Sequence, residues 1–207
     1  MHTSRMQWLP KTLPTRLLLG AFLGAGAVLR LMNIGPALLF GDELHSLGDM
    51  HGGYPQILSH FSSTGAGLAL PLIQRILLDL FGDGHWSIRA PAWVAGLALL
   101  FLVYPVGRRH VGESAALVAT ALVAVSPLLV FYSHFARIYS GVALLCLLLY
   151  DRLQKYVDSA DLETGAEKRP GAEVVVLTAL LPWAHPTALG FVLPLYAGAY
   201  LAILSRP

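Results

Sequence analysis

Long apolar runs, broken by short polar clusters, organise the chain from end to end. Leu17 to Leu31, Ala90 to Gly107, Ser114 to Leu129, Ser140 to Tyr150, Val174 to Trp183 and Ala188 to Leu204 are each dominated by aliphatic residues. A hydrocarbon core about 30 Å thick takes about 20 mostly apolar residues per helix, so these runs predict an all-α, multi-pass transmembrane bundle of about six spans. The 207 residues then form a single membrane domain. A shorter run, Leu70 to Phe81, is apolar at helical spacing but interrupted by Arg75 and Asp79 at i, i+4. It predicts an amphipathic helix at the membrane interface, inside a structured external loop spanning Asn33 to Trp86. Asp151 to Glu173 is the one clearly hydrophilic stretch and predicts a cytoplasmic loop.

Charge placement gives these runs a direction. Arg5, Lys11 and Arg16 precede the first run, Arg108-Arg109-His110 closes the second, and Arg152, Lys155, Lys168 and Arg169 crowd the hydrophilic stretch. The positive-inside rule places all of them in the cytoplasm of a cell-membrane protein and puts the 33–86 loop, the aromatic turn Ser126 to Ser140 and His185-Pro186 outside. A cleaved signal peptide, with Ala25-Gly26-Ala27 as its small-residue site, is the rival reading of the first run. Of the 14 lysines and arginines only Arg30, Arg75, Arg89 and Arg137 fall away from the cytoplasmic side. A cation there must be solvated, snorkelled or paired, which makes these four candidates for function.

Composition sharpens the picture in two places. Hydrophobic residues are 56% and charged residues 13%, against about a quarter charged in an average soluble domain. The net charge of +2 is scattered, so no nucleic-acid partner is expected. The single cysteine, Cys146, lies in the apolar run Val142 to Leu149, which excludes an intramolecular disulfide and leaves no cysteine metal site. No phosphate-binding glycine loop, HExxH pattern or internal repeat occurs.

The candidate chemistry is an acidic pair, Asp42-Glu43, held within about a dozen residues of the first span. Adjacent carboxylates cannot point the same way, so one can face a site while the other caps backbone or pairs with an arginine. A carboxylate at a partly desolvated boundary can serve as a general base; a solvated loop pair is the simpler alternative. Arg89 stands just before Pro91 at a helix start, and Arg137 lies among Tyr132, His134 and Tyr139. Guanidinium forks bind phosphate oxygens bidentately, although snorkelling to lipid headgroups would also account for them. His45, His51, His60 and His185 share no ligand spacing and read as interfacial polar residues. No cofactor is called for, and a divalent metal is left open.

In order and spacing these features resemble the amino-terminal part of the GT-C glycosyltransferases of the protein O-mannosyltransferase and aminoarabinose transferase type. The matching residues are Arg30, the apolar lead into Asp42-Glu43, and Pro71-Leu72 entering a helix that ends Phe81-Gly82. They continue with Arg89-Ala90-Pro91, Gly107-Arg108-Arg109, Ser126-Pro127 through Tyr132-Ser133, Ala136-Arg137-Ile138-Tyr139, and His185. Where the family often has a histidine and two prolines, this chain reads Leu68-Ala69-Leu70-Pro71. Family members are also usually longer, so the chain is expected to be an amino-terminal portion.

The resemblance implies a membrane glycosyltransferase that moves a sugar from a polyprenyl-phosphate donor to an extracytoplasmic protein, lipid or glycan acceptor, with inversion. It implies Asp42 as general base, supported by Glu43, with Arg89, Arg137 and Arg30 on the donor phosphate. Tyr132, Tyr139 and His185 are possible substrate contacts. The competing class is a non-catalytic membrane protein, either a lipid-carrier transporter or an assembly subunit, or an inactive piece of the enzyme. Boundary charges would serve it equally well.

Overall fold

A computed structural model describes residues 10–32, 39, 41–59, 67–82, 84–159 and 171–205. The described residues are all-α. α1 (Leu13–Leu31) leads to three shorter helices, α2 (Glu43–His51), α3 (Tyr54–Ser59) and α4 (Ala69–Phe81). α5 (His85–Val111) is the longest; it is followed by α6 (Glu113–Val125), α7 (Pro127–His134) and α8 (Tyr139–Ser159). α9 (Ala172–Ala184), a 3-10 turn (Pro186–Ala188) and α10 (Leu189–Leu204) complete the described chain.

Polarity is arranged as a bilayer demands. Leu13, Leu80, Phe81, Leu122 and Leu193 are all more than 60% exposed, while Arg30, Glu43, Gln74 and Thr120 have no exposed surface. Water would drive the reverse arrangement; lipid accepts the apolar exterior and forces polar groups to find partners inside. α1, α5 and the 3-10 turn with α10 are long and apolar enough to cross a membrane, and α6 with α7 makes a fourth crossing if that bent pair is one span. α8 is long but carries Asp151, Arg152, Lys155 and Asp158 in its second half, and α9 has only 13 residues. Among the described residues three or four helices thus qualify by length and composition, against the expected spans, about six in number.

α5 is the central post, packed against α1, α4, α6, α7 and α8. Its 27 residues rise about 40 Å at 1.5 Å each, enough to cross the hydrocarbon and project beyond it. Close approach to α7 requires Gly96, where a Cβ would fall 2.1 Å from the Ser133 hydroxyl oxygen. Pro91 lacks the N–H that would bond the Ser87 carbonyl. In that loosened turn the neighbouring Ile88 carbonyl accepts from the Gln74 amide of α4 at 2.8 Å.

Pro127 ends α6. The chain bends by 54° between α6 and α7, and Ser126 caps the new helix by accepting from the Leu129 N–H. A proline at 127 supplies no N–H for the Val123 carbonyl, and the bend withdraws the donor for Ala124. Arg30 replaces both donors, its Nη2 lying 2.8 Å from Val123 O and its Nη1 3.2 Å from Ala124 O. Gly26, one turn earlier, permits that approach: a Cβ there would sit 3.0 Å from the Ala124 Cα. The Arg30 carbonyl in turn accepts from Trp93 Nε1 at 3.0 Å and from His134 Nε2 at 2.7 Å.

Two sequence expectations are modified here. The helix over Leu70 to Phe81 forms with bounds Ala69–Phe81, and at about 20 Å it is too short to cross the core. Its Arg75 and Asp79 pair at 2.9 Å, and Tyr54 of α3 donates to the same carboxylate at 2.5 Å. The hydrophilic stretch from Asp151 does not begin a loop: α8 continues helical through Ser159, because Asp151 and Lys155 pair one turn apart and the helix keeps burying Leu153 and Val157. The remainder of that stretch, 160–170, lies outside the described residues.

Candidate functional site

α2 divides the acidic pair. One helical step turns a side chain by about 100°, so Glu43 faces inward with Ser46 and Met50, at i, i+3 and i+7, while Asp42 stays exposed at the helix start. Glu43 is fully buried. Its carboxylate takes both arms of the Arg89 fork, Nε to Oε1 at 2.9 Å and Nη2 to Oε2 at 2.8 Å. Oε1 accepts a third bond from the Ala136 N–H at 2.8 Å, and Ser46 donates to the Ala136 carbonyl, also at 2.8 Å. A buried charge pair persists only with such complete bonding. Here it ties α2, α5 and the turn at residues 135–138 into one unit.

That turn carries the remaining candidates. Arg137, next to the bonded Ala136, is 2% exposed and lines an otherwise apolar cavity of about 360 Å³ between α4, α5, α8 and α9. Tyr139 stacks obliquely on Tyr132, with ring centroids 4.6 Å apart, and lies 5.5 Å from His185 on its other side. Burial, and then the nearby Arg137 charge, hold the His185 imidazole below its ordinary pKa. The Thr187 N–H donates to His185 Nδ1, which places the proton of the neutral ring on Nε2.

A second, more polar cavity of about 750 Å³ lies beyond the first turn of α4, walled by α2 and α3 and including Asp49, His51, Gln56 and Pro71. Gly67 sets the position of that turn. Its φ is +64°, and a Cβ would fall 1.9 Å from the Trp183 carbonyl oxygen, so only glycine lets the chain meet the end of α9.

The structure therefore brings Glu43, Arg89, Arg137, Tyr132, Tyr139 and His185 to the neighbourhood of one turn. Asp42 stands beside this group on the exposed start of α2. Two residues differ from their expected placement. Arg89 gives its fork to Glu43 rather than presenting it to a phosphate, because a buried carboxylate needs a buried cation. Arg30 is committed to the Val123 and Ala124 carbonyls and is not among the residues lining either cavity. Ser46 and Gln74 were not singled out as candidates; Ser46 had a readable signal, lying one turn from Glu43 on the same face. His45 is exposed, His51 borders the polar cavity, and His60 lies outside the described residues. Among the described residues no three His, Cys, Asp or Glu side chains gather as a metal site requires.

The described residues form an all-α bundle with membrane-length apolar helices, a buried carboxylate–guanidinium pair and an apolar cavity lined by one guanidinium. Residues 66–159 match the family model described as dolichyl-phosphate-mannose-protein mannosyltransferase. Over that segment, which is slightly under half of the chain, the protein is similar to that family, which is of GT-C type. The match runs through α4 to the end of α8 and contains Arg89, Tyr132, Arg137 and Tyr139, whereas Asp42, Glu43 and His185 lie outside the matched segment. Searches of curated proteins and of solved structures return no match.

Proposed function

We propose that the chain serves transfer of a sugar from a polyprenyl-phosphate donor to an acceptor hydroxyl or amine on the extracytoplasmic side, with inversion at the anomeric carbon. The observation that carries this reading is Arg137 in the wall of an otherwise apolar cavity. Apolar walls suit the first isoprene units of a lipid donor, and a guanidinium among them suits the phosphate to which they are joined.

In the proposed step the Asp42 carboxylate takes the acceptor proton as the acceptor atom bonds to the anomeric carbon. The bond from that carbon to the phosphate oxygen breaks, and polyprenyl phosphate leaves with the electron pair. Arg137 stabilises the charge gathering on the phosphate, with the His185 Nε2–H as a neutral donor beside it. Transition-state electrostatics of this kind is worth about 3–4 kcal/mol per donor. Glu43 and Arg89 are positioning residues, holding the start of α2 against the 135–138 turn.

The test is sugar transfer by the full chain in proteoliposomes, with a polyprenyl-phosphate sugar of natural chain length. Arg137→Lys keeps the charge but loses the fork, so donor KM should rise about tenfold with a smaller fall in kcat. Unchanged donor KM would remove Arg137 from the donor site.

A further inference from the structure

At the far end of α5 from the Glu43–Arg89 pair lies a third cleft, of about 780 Å³, lined by Lys11, Arg108, Arg109, Arg152 and Lys155 around Asp151. Arg109 is 20 residues beyond Arg89 on the same helix, a rise of about 30 Å, so the cleft opens at the opposite membrane boundary. Asp151 is 4% exposed and is already saturated. It takes an ion pair from Arg109, Lys155 Nζ at 2.7 Å, His110 Nε2 at 3.0 Å and, more distantly, Arg152 Nε at 3.8 Å. Glu113 and Glu173 approach Arg108 and Arg152 at 3.8 and 4.0 Å. Among the described residues, even with those two acids counted, five cations face three carboxylates. Leu102, Val106 and Leu148 form the wall of the cleft towards the membrane interior.

We propose that this cleft binds a phosphate group, presented as the headgroup of an anionic membrane phospholipid. The surplus of cations matches a phosphodiester. Arg109, Arg152 and Lys155 remain 47%, 42% and 38% exposed, so their outer N–H groups reach a ligand without leaving Asp151. The apolar wall beneath them favours a lipid over a free anion, since acyl chains leaving a bound headgroup would lie along α5 and α8. Basic pockets between transmembrane helices hold anionic headgroups in this manner.

The experiment is native mass spectrometry of the full chain in detergent, with equimolar phosphatidylglycerol and phosphatidylcholine of identical acyl chains, and separately with millimolar inorganic phosphate. Each cation near a membrane surface favours an anionic lipid by about fivefold. The wild-type chain should therefore retain phosphatidylglycerol over phosphatidylcholine. Arg152→Gln with Lys155→Gln should reduce that preference about 25-fold. Lys11→Gln, in the cleft but not bonded to Asp151, should reduce it about fivefold with the fold untouched. Arg75→Gln, at the other boundary, should leave it unchanged. Equal retention of the two lipids, an unaltered ratio in Lys11→Gln, or displacement of bound lipid by inorganic phosphate would each overturn the proposal.

Discussion

Glu43→Gln changes one atom and removes one negative charge from a carboxylate with no exposed surface. The Arg89 guanidinium, 5% exposed, then remains buried opposite a neutral amide. Breaking a buried ion pair from one side costs about 3–5 kcal/mol, and the amide oxygen that still accepts one bond puts this variant near the lower figure. The Ala136 N–H bond weakens as well, because its acceptor is no longer charged. For a chain of this size each kcal/mol lowers Tm by about 2–4 °C, so the expected drop is about 6–12 °C. The assay is thermal unfolding of purified protein in one detergent, with Arg89→Met and the double replacement Glu43→Leu, Arg89→Met measured alongside. Each single change should destabilise strongly, while the double should recover part of the loss, since an apolar pair of similar volume replaces a desolvated charge pair and the Ala136 N–H loses its acceptor. A Glu43→Gln Tm within about 2 °C of wild type, or a double variant no better than the singles, would refute the lock.

Three further outcomes are expected. Arg30→Met leaves the Val123 and Ala124 carbonyls without donors at the Pro127 break and should cost about 2–4 kcal/mol by thermal unfolding, yet surviving protein should show an unchanged donor KM; a raised KM would return Arg30 to the donor site. Gly67→Ala should lower Tm by several degrees, because its φ of +64° and the Trp183 carbonyl both exclude a Cβ; a neutral result would contradict the close approach of residue 67 to the end of α9. Burial alone would raise the Asp151 pKa, but the bonds from Lys155, His110 and Arg109 outweigh it and hold the carboxyl at about 2. Its contribution of about 1–2 kcal/mol is thus complete above the ordinary carboxylate range near 4 and lost as pH falls towards 2. Asp151→Asn should flatten the dependence of Tm on pH in that window, and an unchanged slope would refute the assignment.

Hydropathy located the helices because each segment's preference for lipid is written in its own residues. It misplaced the end of α8, where Leu153 and Val157 continue a buried stripe beneath the charges at Asp151, Arg152 and Lys155. The acidic pair was legible as a candidate, and so was the need for its two carboxylates to diverge. Which acid turned inward, and towards which arginine, was not. Glu43 finds Arg89 46 positions away and Ala136 93 away, and such partners follow from how helices pack rather than from local pattern. Arg30 illustrates the same limit. Its charge at the end of an apolar run looked like a site for an anion, whereas its partners are carbonyls released by a proline far along the chain. Arg75, also counted among the candidate cations, pairs with Asp79 one turn away, a spacing at which side chains on one helix face meet.

The central claim is that the acidic pair has divided labour, with Glu43 holding the fold and Asp42 serving the chemistry. Its most direct measurement is Asp42→Asn, assayed for sugar transfer from a polyprenyl-phosphate donor and for Tm in the same preparation. Asp42 is exposed and stands at the start of α2 without a side-chain cap bond, so Tm should move by less than about 2 °C. Loss of the general base should lower kcat by about 10²–10⁴-fold with donor KM little changed. Transfer at the wild-type rate by Asp42→Asn would contradict the account.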